Sequence, residues 1–154
     1  MVKKTLDTFT NIIINYFHTT YDVKVDIGSP YLISDLGEFD GDFTGVIRIS
    51  GQYNGSCYFS TPKSLLQQIL TSLSIPIDID SEEVLSDIAG EIANTLSGNA
   101  RAELGEDFII SIPKVFRGKQ SLQAIDIEDD PELLTYAIPV YWNSEKAFIG
   151  VKLS

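Results

Sequence analysis

Residues 84–104, VLSDIAGEIANTLSGNARAEL, carry the pattern that most constrains what this chain can become. At about 100° per residue, Leu85, Ile88, Ala89, Ile92, Ala93, Leu96, Ala100 and Leu104 fall on one broad face, which predicts a helix buried along that side. Asp87, Glu91, Asn94, Gly98 and Arg101 gather opposite in one polar row, with Gly90 and Ser97 at its margins. Glycine inside a helix costs roughly 1 kcal/mol relative to alanine, so two of them beside a polar row ask for a reason. Small residues there would let another protein's backbone come close, which suits insertion of Glu91 and Asn94 into a partner's cleft. The same spacing also describes an ordinary solvated face, and Gly98 could equally permit tight packing between helices.

The rest of the chain supplies that helix with neighbours. Leu6, Phe9, Ile13, Tyr16 and Phe17 recur at helical steps, so residues 3–20 read as an amphipathic helix docked in the core rather than on a membrane surface. Residues 23–33 turn strand-like, interrupted by Gly28 and Pro30. FTGVIRIS and GSCYFS flank GQYN, a hairpin signal that places Cys57 in the second strand as a small hydrophobe. Ser60 or Thr61 before Pro62 starts a second helix with Leu65, Leu66, Ile69, Leu70 and Leu73 on its buried side. Asp80 and Glu83 stand at capping-box spacing before the helix described above. Residues 106–118 read as a strand, 120–132 as an acidic linker, and LTYAIPVYW with AFIGVKLS as a closing hairpin turned at NSEK. The expected architecture is α+β, an antiparallel sheet with long helices packed on it, in a single domain spanning residues 1–154.

Charge and composition remove several functions. A net charge of −11, with no local cluster of Lys or Arg, repels a phosphate backbone, so no nucleic-acid partner is expected. The one cysteine cannot form an internal disulfide, TLDTFTN is too polar for a secretory core, and no window of 18 uninterrupted apolar residues occurs. A cytoplasmic protein without a membrane partner is expected. DGDFTG opens like a calcium loop at Asp40, but the twelfth position is Gly51 where a bidentate Glu is needed. With one histidine, His18, a zinc site or a Ser-His-acid triad is poorly supplied, and no metal site is expected in this chain. Asn54 in NGS reads as a hairpin turn rather than a glycosylation site.

Asp87, Glu91 and Asn94 fit a D/S-x3-E-x2-N signature, and SEEVLSDIAGEIANTLSGNARAEL resembles throughout the motif helix of the CheX/CheC/FliY family of response-regulator phosphatases. The N-terminal helix, the GVIRISGQYNGSCYFSTPKSLLQQIL hairpin and helix, and the closing strands are similar to the CheX layout over nearly the whole chain. CheC-like and FliY-like members carry two such helices, so a single Glu-x2-Asn resembles the single-site CheX type. Pro113 arrives earlier after Asn94 than the family pattern sets its proline.

The resemblance implies an aspartyl-phosphate phosphatase acting on a phosphorylated CheY-like receiver domain in two-component signalling. It implies Glu91 and Asn94 as the catalytic pair, Glu91 meeting the receiver's active-site lysine and Asn94 positioning the attacking water. Asp87, Gly90 and Gly98 would serve partner docking. It also implies a homodimer, and Mg²⁺ held by the receiver with no cofactor in this chain. The chemistry suits an asparagine: its amide offers both a donor and an acceptor, and adds no negative charge beside a phosphoryl group. A noncatalytic module that binds or sequesters a receiver with the same helix is the alternative.

Overall fold

The computed structural model describes residues 2–33, 41–74, 76–105, 107–118 and 134–153. In chain order these form α1 (Val2–Tyr21), β1 (Asp26–Ile27), β2 (Tyr31–Ile33), β3 (Phe43–Gly51), β4 (Gly55–Thr61), α2 (Lys63–Ser72), α3 (Glu82–Leu104), β5 (Phe108–Ile110), β6 (Lys114–Arg117), β7 (Thr135–Trp142) and β8 (Glu145–Leu153). The strands make one antiparallel sheet whose centre runs β7-β8-β4-β3. Both flanks are divided: β1 and β2 pair successive stretches of β7, and β5 and β6 pair successive stretches of β3. This is the expected α+β arrangement, with the helices on one face of an antiparallel sheet.

Side-chain alternation decides what each sheet face does. Ile47, Phe59, Ile138 and Ile149 point toward the helices and join Phe9, Ile13 and Phe17 of α1, Leu65 and Leu66 of α2, and Leu85, Ala89, Ile92 and Leu96 of α3 in one core. Val46, Tyr58, Ala137 and Phe148, each one residue out of step with that set, form a smaller cluster with Ile33 on the reverse face. The centre of the packing is the crossing of α3 over β3. At Gly45 an added Cβ would stand 2.9 Å from the Ala89 carbonyl oxygen and 3.0 Å from Ala93 Cβ, so the absent side chain sets how closely helix and sheet approach.

Several local expectations shift. Pro62 occupies the N-cap of α2 with no side-chain cap of its own, and neither Ser60 nor Thr61 serves. Instead the Asp42 carboxylate, from the start of the β3 hairpin, accepts the Lys63 N–H at 2.7 Å. The α3 cap is Ser81, whose hydroxyl accepts from Val84 N–H at 3.3 Å, one residue later than the Asp80 spacing predicted. Where one strand was expected over 106–118, the described residues 107–118 form two, because Ile112 and Pro113 interrupt the ladder: proline has no N–H to donate. The closing hairpin turns at Asn143 and Ser144, both at positive φ, as a two-residue hairpin turn requires. The acidic stretch 120–132 lies outside the described residues. Among the described residues no helix is long and apolar enough to cross a membrane.

Candidate functional site

The polar row predicted from periodicity exists on the outer side of α3. Asp87, Glu91, Asn94 and Arg101 are exposed, while Leu85, Ala89, Ile92, Ala93, Leu96 and Ala100 are buried on the opposite side of the same helix. Three residues of separation bring Glu91 and Asn94 to one face, with about 5–6 Å between their Cβ atoms. A carboxylate and an amide are thus offered together to whatever meets this surface.

Two walls bound the row. On one side stands the C-terminal half of α1, where the Tyr16 and Tyr21 hydroxyls share a hydrogen bond of 3.1 Å and their rings meet edge to face at 5.6 Å. Burial raises the ionisation of both phenols above the ordinary tyrosine range, their shared hydrogen bond raises Tyr16 and lowers Tyr21, and the negative charge of Glu91 adds a smaller upward push to each. Glu91 is therefore electrostatically coupled to α1, a relation that no spacing in the sequence announces.

On the other side run β5, β6 and the residues joining them. The two glycines beside the row part company here. Gly90 is buried, and a Cβ on it would meet Val115 Cγ2 at 2.9 Å and Pro113 at 3.6 Å. Its missing side chain makes room for the chain's own β6. Gly98 is half-buried, with Ile110 Cδ1 at 4.0 Å as the sole neighbour of an added Cβ. Arg117 of β6 reaches Glu82 at the start of α3 at 3.9 Å, an exposed ion pair of little energetic weight.

Cys57 is buried, and burial pushes its thiol up to about 12, so it is protonated and unreactive at neutral pH. His18 is exposed on α1. Among the described residues no three His, Cys, Asp or Glu side chains are grouped as metal ligands would be.

Comparison with known proteins gives these residues a context. Residues 43–132 match the family model described as chemotaxis phosphatase CheX. Among solved structures, CheX from Vibrio vulnificus is 25% identical, with a TM-score of 0.79 over 98% of this chain and 99% of that one. A chemotactic CheC-like protein from Shewanella oneidensis is 23% identical, with a TM-score of 0.82 over 100% of both chains. The CheX of a CheX-CheY-BeF3-Mg²⁺ complex from Borrelia burgdorferi is 15% identical, with a TM-score of 0.72 over 99% of this chain and 96% of that one. Among curated proteins no relative matches.

Proposed function

The chain belongs to the CheX family of chemotaxis phosphatases, with a single Glu-x2-Asn helix, and from that premise we propose that it hydrolyses the aspartyl phosphate of a CheY-like receiver domain. The observation that carries the reading is the joint exposure of Glu91 and Asn94 on one face of a helix whose other face is core. Such a pair can enter a cleft without disturbing the fold.

An acyl phosphate in a receiver sits among acidic groups and a metal, so charge stabilisation is already present there. What hydrolysis lacks is a water held in line with phosphorus. Asn94 supplies a neutral amide that can accept from and donate to that water, fixing its position and lone-pair direction. The task parallels that of the glutamine that orients water in GTP hydrolysis. Glu91 forms an ion pair with the receiver's lysine and sets the register of entry, and Asp87, one turn earlier, extends the docking face. Mg²⁺ belongs to the receiver, an assignment supported by the Borrelia complex, which contains CheY and Mg²⁺ together. We further propose that the protein works as a homodimer in the cytoplasm.

The test is phosphate release from a CheY-type receiver of the same organism, phosphorylated with a small-molecule donor and Mg²⁺. Wild type should accelerate release over many turnovers, and Asn94→Ala should lower kcat by about 10²-fold or more while binding persists. Stoichiometric binding without turnover would replace this reading with a sequestering module.

A further inference from the structure

The chain from Ile110 to Val115 is held against α3 at two heights. Ile110 lies beside Gly98, while Pro113 and Val115 lie beside Gly90, so the segment runs antiparallel to the helix and spans two of its turns. Asn94 is midway between the two glycines, and residue 112 is between their two points of contact. Ile112, bonded to Pro113, therefore lies on the segment that borders α3 at Gly90, the residue before Glu91.

Ile112 is 86% exposed, the most exposed large apolar side chain among the described residues. Its backbone is nevertheless fixed. The Ser111 hydroxyl accepts from Arg48 N–H at 3.0 Å and donates to the Ile112 carbonyl at 3.0 Å, and Ser111 N–H donates to the Arg48 carbonyl at 3.0 Å. Pro113 has a locked φ and keeps the residue before it extended. A β-branched apolar side chain is therefore held out in water on a rigid support, on the segment that packs against α3 beside the exposed row.

Polar groups that must be desolvated on entry provide direction rather than affinity, whereas binding energy concentrates in apolar anchors near the centre of an interface. We propose that Ile112 is the apolar contact by which the phosphorylated receiver is recognised, seating on the receiver surface beside its phosphorylated pocket as Glu91 and Asn94 enter. This rests on the phosphatase reading above. Ile112 acts through binding and is not a catalytic residue: Asn94 governs kcat, and Ile112 governs KM and receiver specificity.

Steady-state dephosphorylation of the same phosphorylated receiver tests the division of labour, with Ile112→Ser, Ile112→Val and Asn94→Ala compared with wild type. Ile112→Ser should raise KM about tenfold with kcat within about twofold, and Ile112→Val should stay near wild type. The affinity of Asn94→Ala for the receiver in beryllium fluoride and Mg²⁺ should fall by a similar factor when Ile112→Ser is added. An unchanged KM for Ile112→Ser, alongside lost turnover in Asn94→Ala, overturns the Ile112 assignment and leaves the phosphatase reading standing. A change in oligomeric state by light scattering, without a change in KM, assigns Ile112 to contact between copies of this chain and overturns it as well. If wild type neither turns over nor binds the receiver, both readings fall.

Discussion

Gly90 of α3 and Val115 of β6 interlock, the glycine leaving a space so closely filled that a methyl group there would stand 2.9 Å from Cγ2 of the valine. Alanine at Gly90 gains about 1 kcal/mol of helix propensity but incurs an overpacking cost of about 1–3 kcal/mol, because a β-branched neighbour cannot swing clear. Gly90→Ala should therefore destabilise the fold by about 1 kcal/mol, whereas Gly98→Ala, with its nearest obstacle at 4.0 Å, should stabilise it by about 0.5–1 kcal/mol. Denaturant unfolding of the two variants should give opposite signs; equal signs would refute this account of the two glycines.

Removing the charge of Glu91 should be felt in α1. Burial is the larger cause of the raised ionisation of Tyr16 and Tyr21, and the Glu91 carboxylate adds to it, so Glu91→Gln should move part of the phenolate absorbance to lower pH. The folded-state values lie above the unfolded reference of 10.0, so the stability they contribute is present below that pH and lost above it. Coincident ultraviolet titrations of variant and wild type would show the coupling to be absent.

Asp42 caps a helix that begins 21 residues downstream of it, by accepting the Lys63 N–H. Asp42→Ala should cost about 1 kcal/mol, the usual loss for an N-terminal cap, and Asp42→Asn should keep most of the stability because the amide oxygen still accepts. Thermal unfolding of both variants checks this; equal losses would show that charge at the helix terminus matters more than the hydrogen bond.

Cys57 should behave as a core residue. Burial lifts its thiol from 9.0 to about 12, so the folded state holds a proton that the unfolded chain releases earlier. Its contribution to stability is full below about pH 9 and is lost as pH rises toward 12. The stability difference between wild type and Cys57→Ala, from urea melts at pH 8 and pH 11, should shrink at the higher pH. A thiol reagent at pH 8 should label Cys57 only as fast as the fold opens, and immediate labelling would sink this description.

Periodicity revealed most of the framework because it is a local property. The stripes of α1 and α3, the β3-β4 hairpin and the NSEK turn were legible, and so was the outward row of Asp87, Glu91 and Asn94. Contacts between distant segments were not. Nothing near Lys63 in sequence points to Asp42 as its cap, and nothing near Gly90 tells whether its space is kept for a partner or for Val115. Pro113 did carry a signal, since a proline inside a strand pattern marks an interruption, and that break is what leaves Ile112 outside the ladder. The pairing of Tyr16 with Tyr21 near Glu91 needed the packing of α1 on α3, which no single stripe encodes.

Gly45 has one further bearing, on accuracy rather than stability. Because β3 touches the backbone of α3 directly beneath the exposed row, the placement of Glu91 and Asn94 inherits its tolerance from a contact between main chains, not from adjustable side chains. A visiting protein meets a shape settled when the chain folded and gives up little freedom in matching it. Faults introduced at that floor would surface as poor aim: the amide would be present, intact and misdirected.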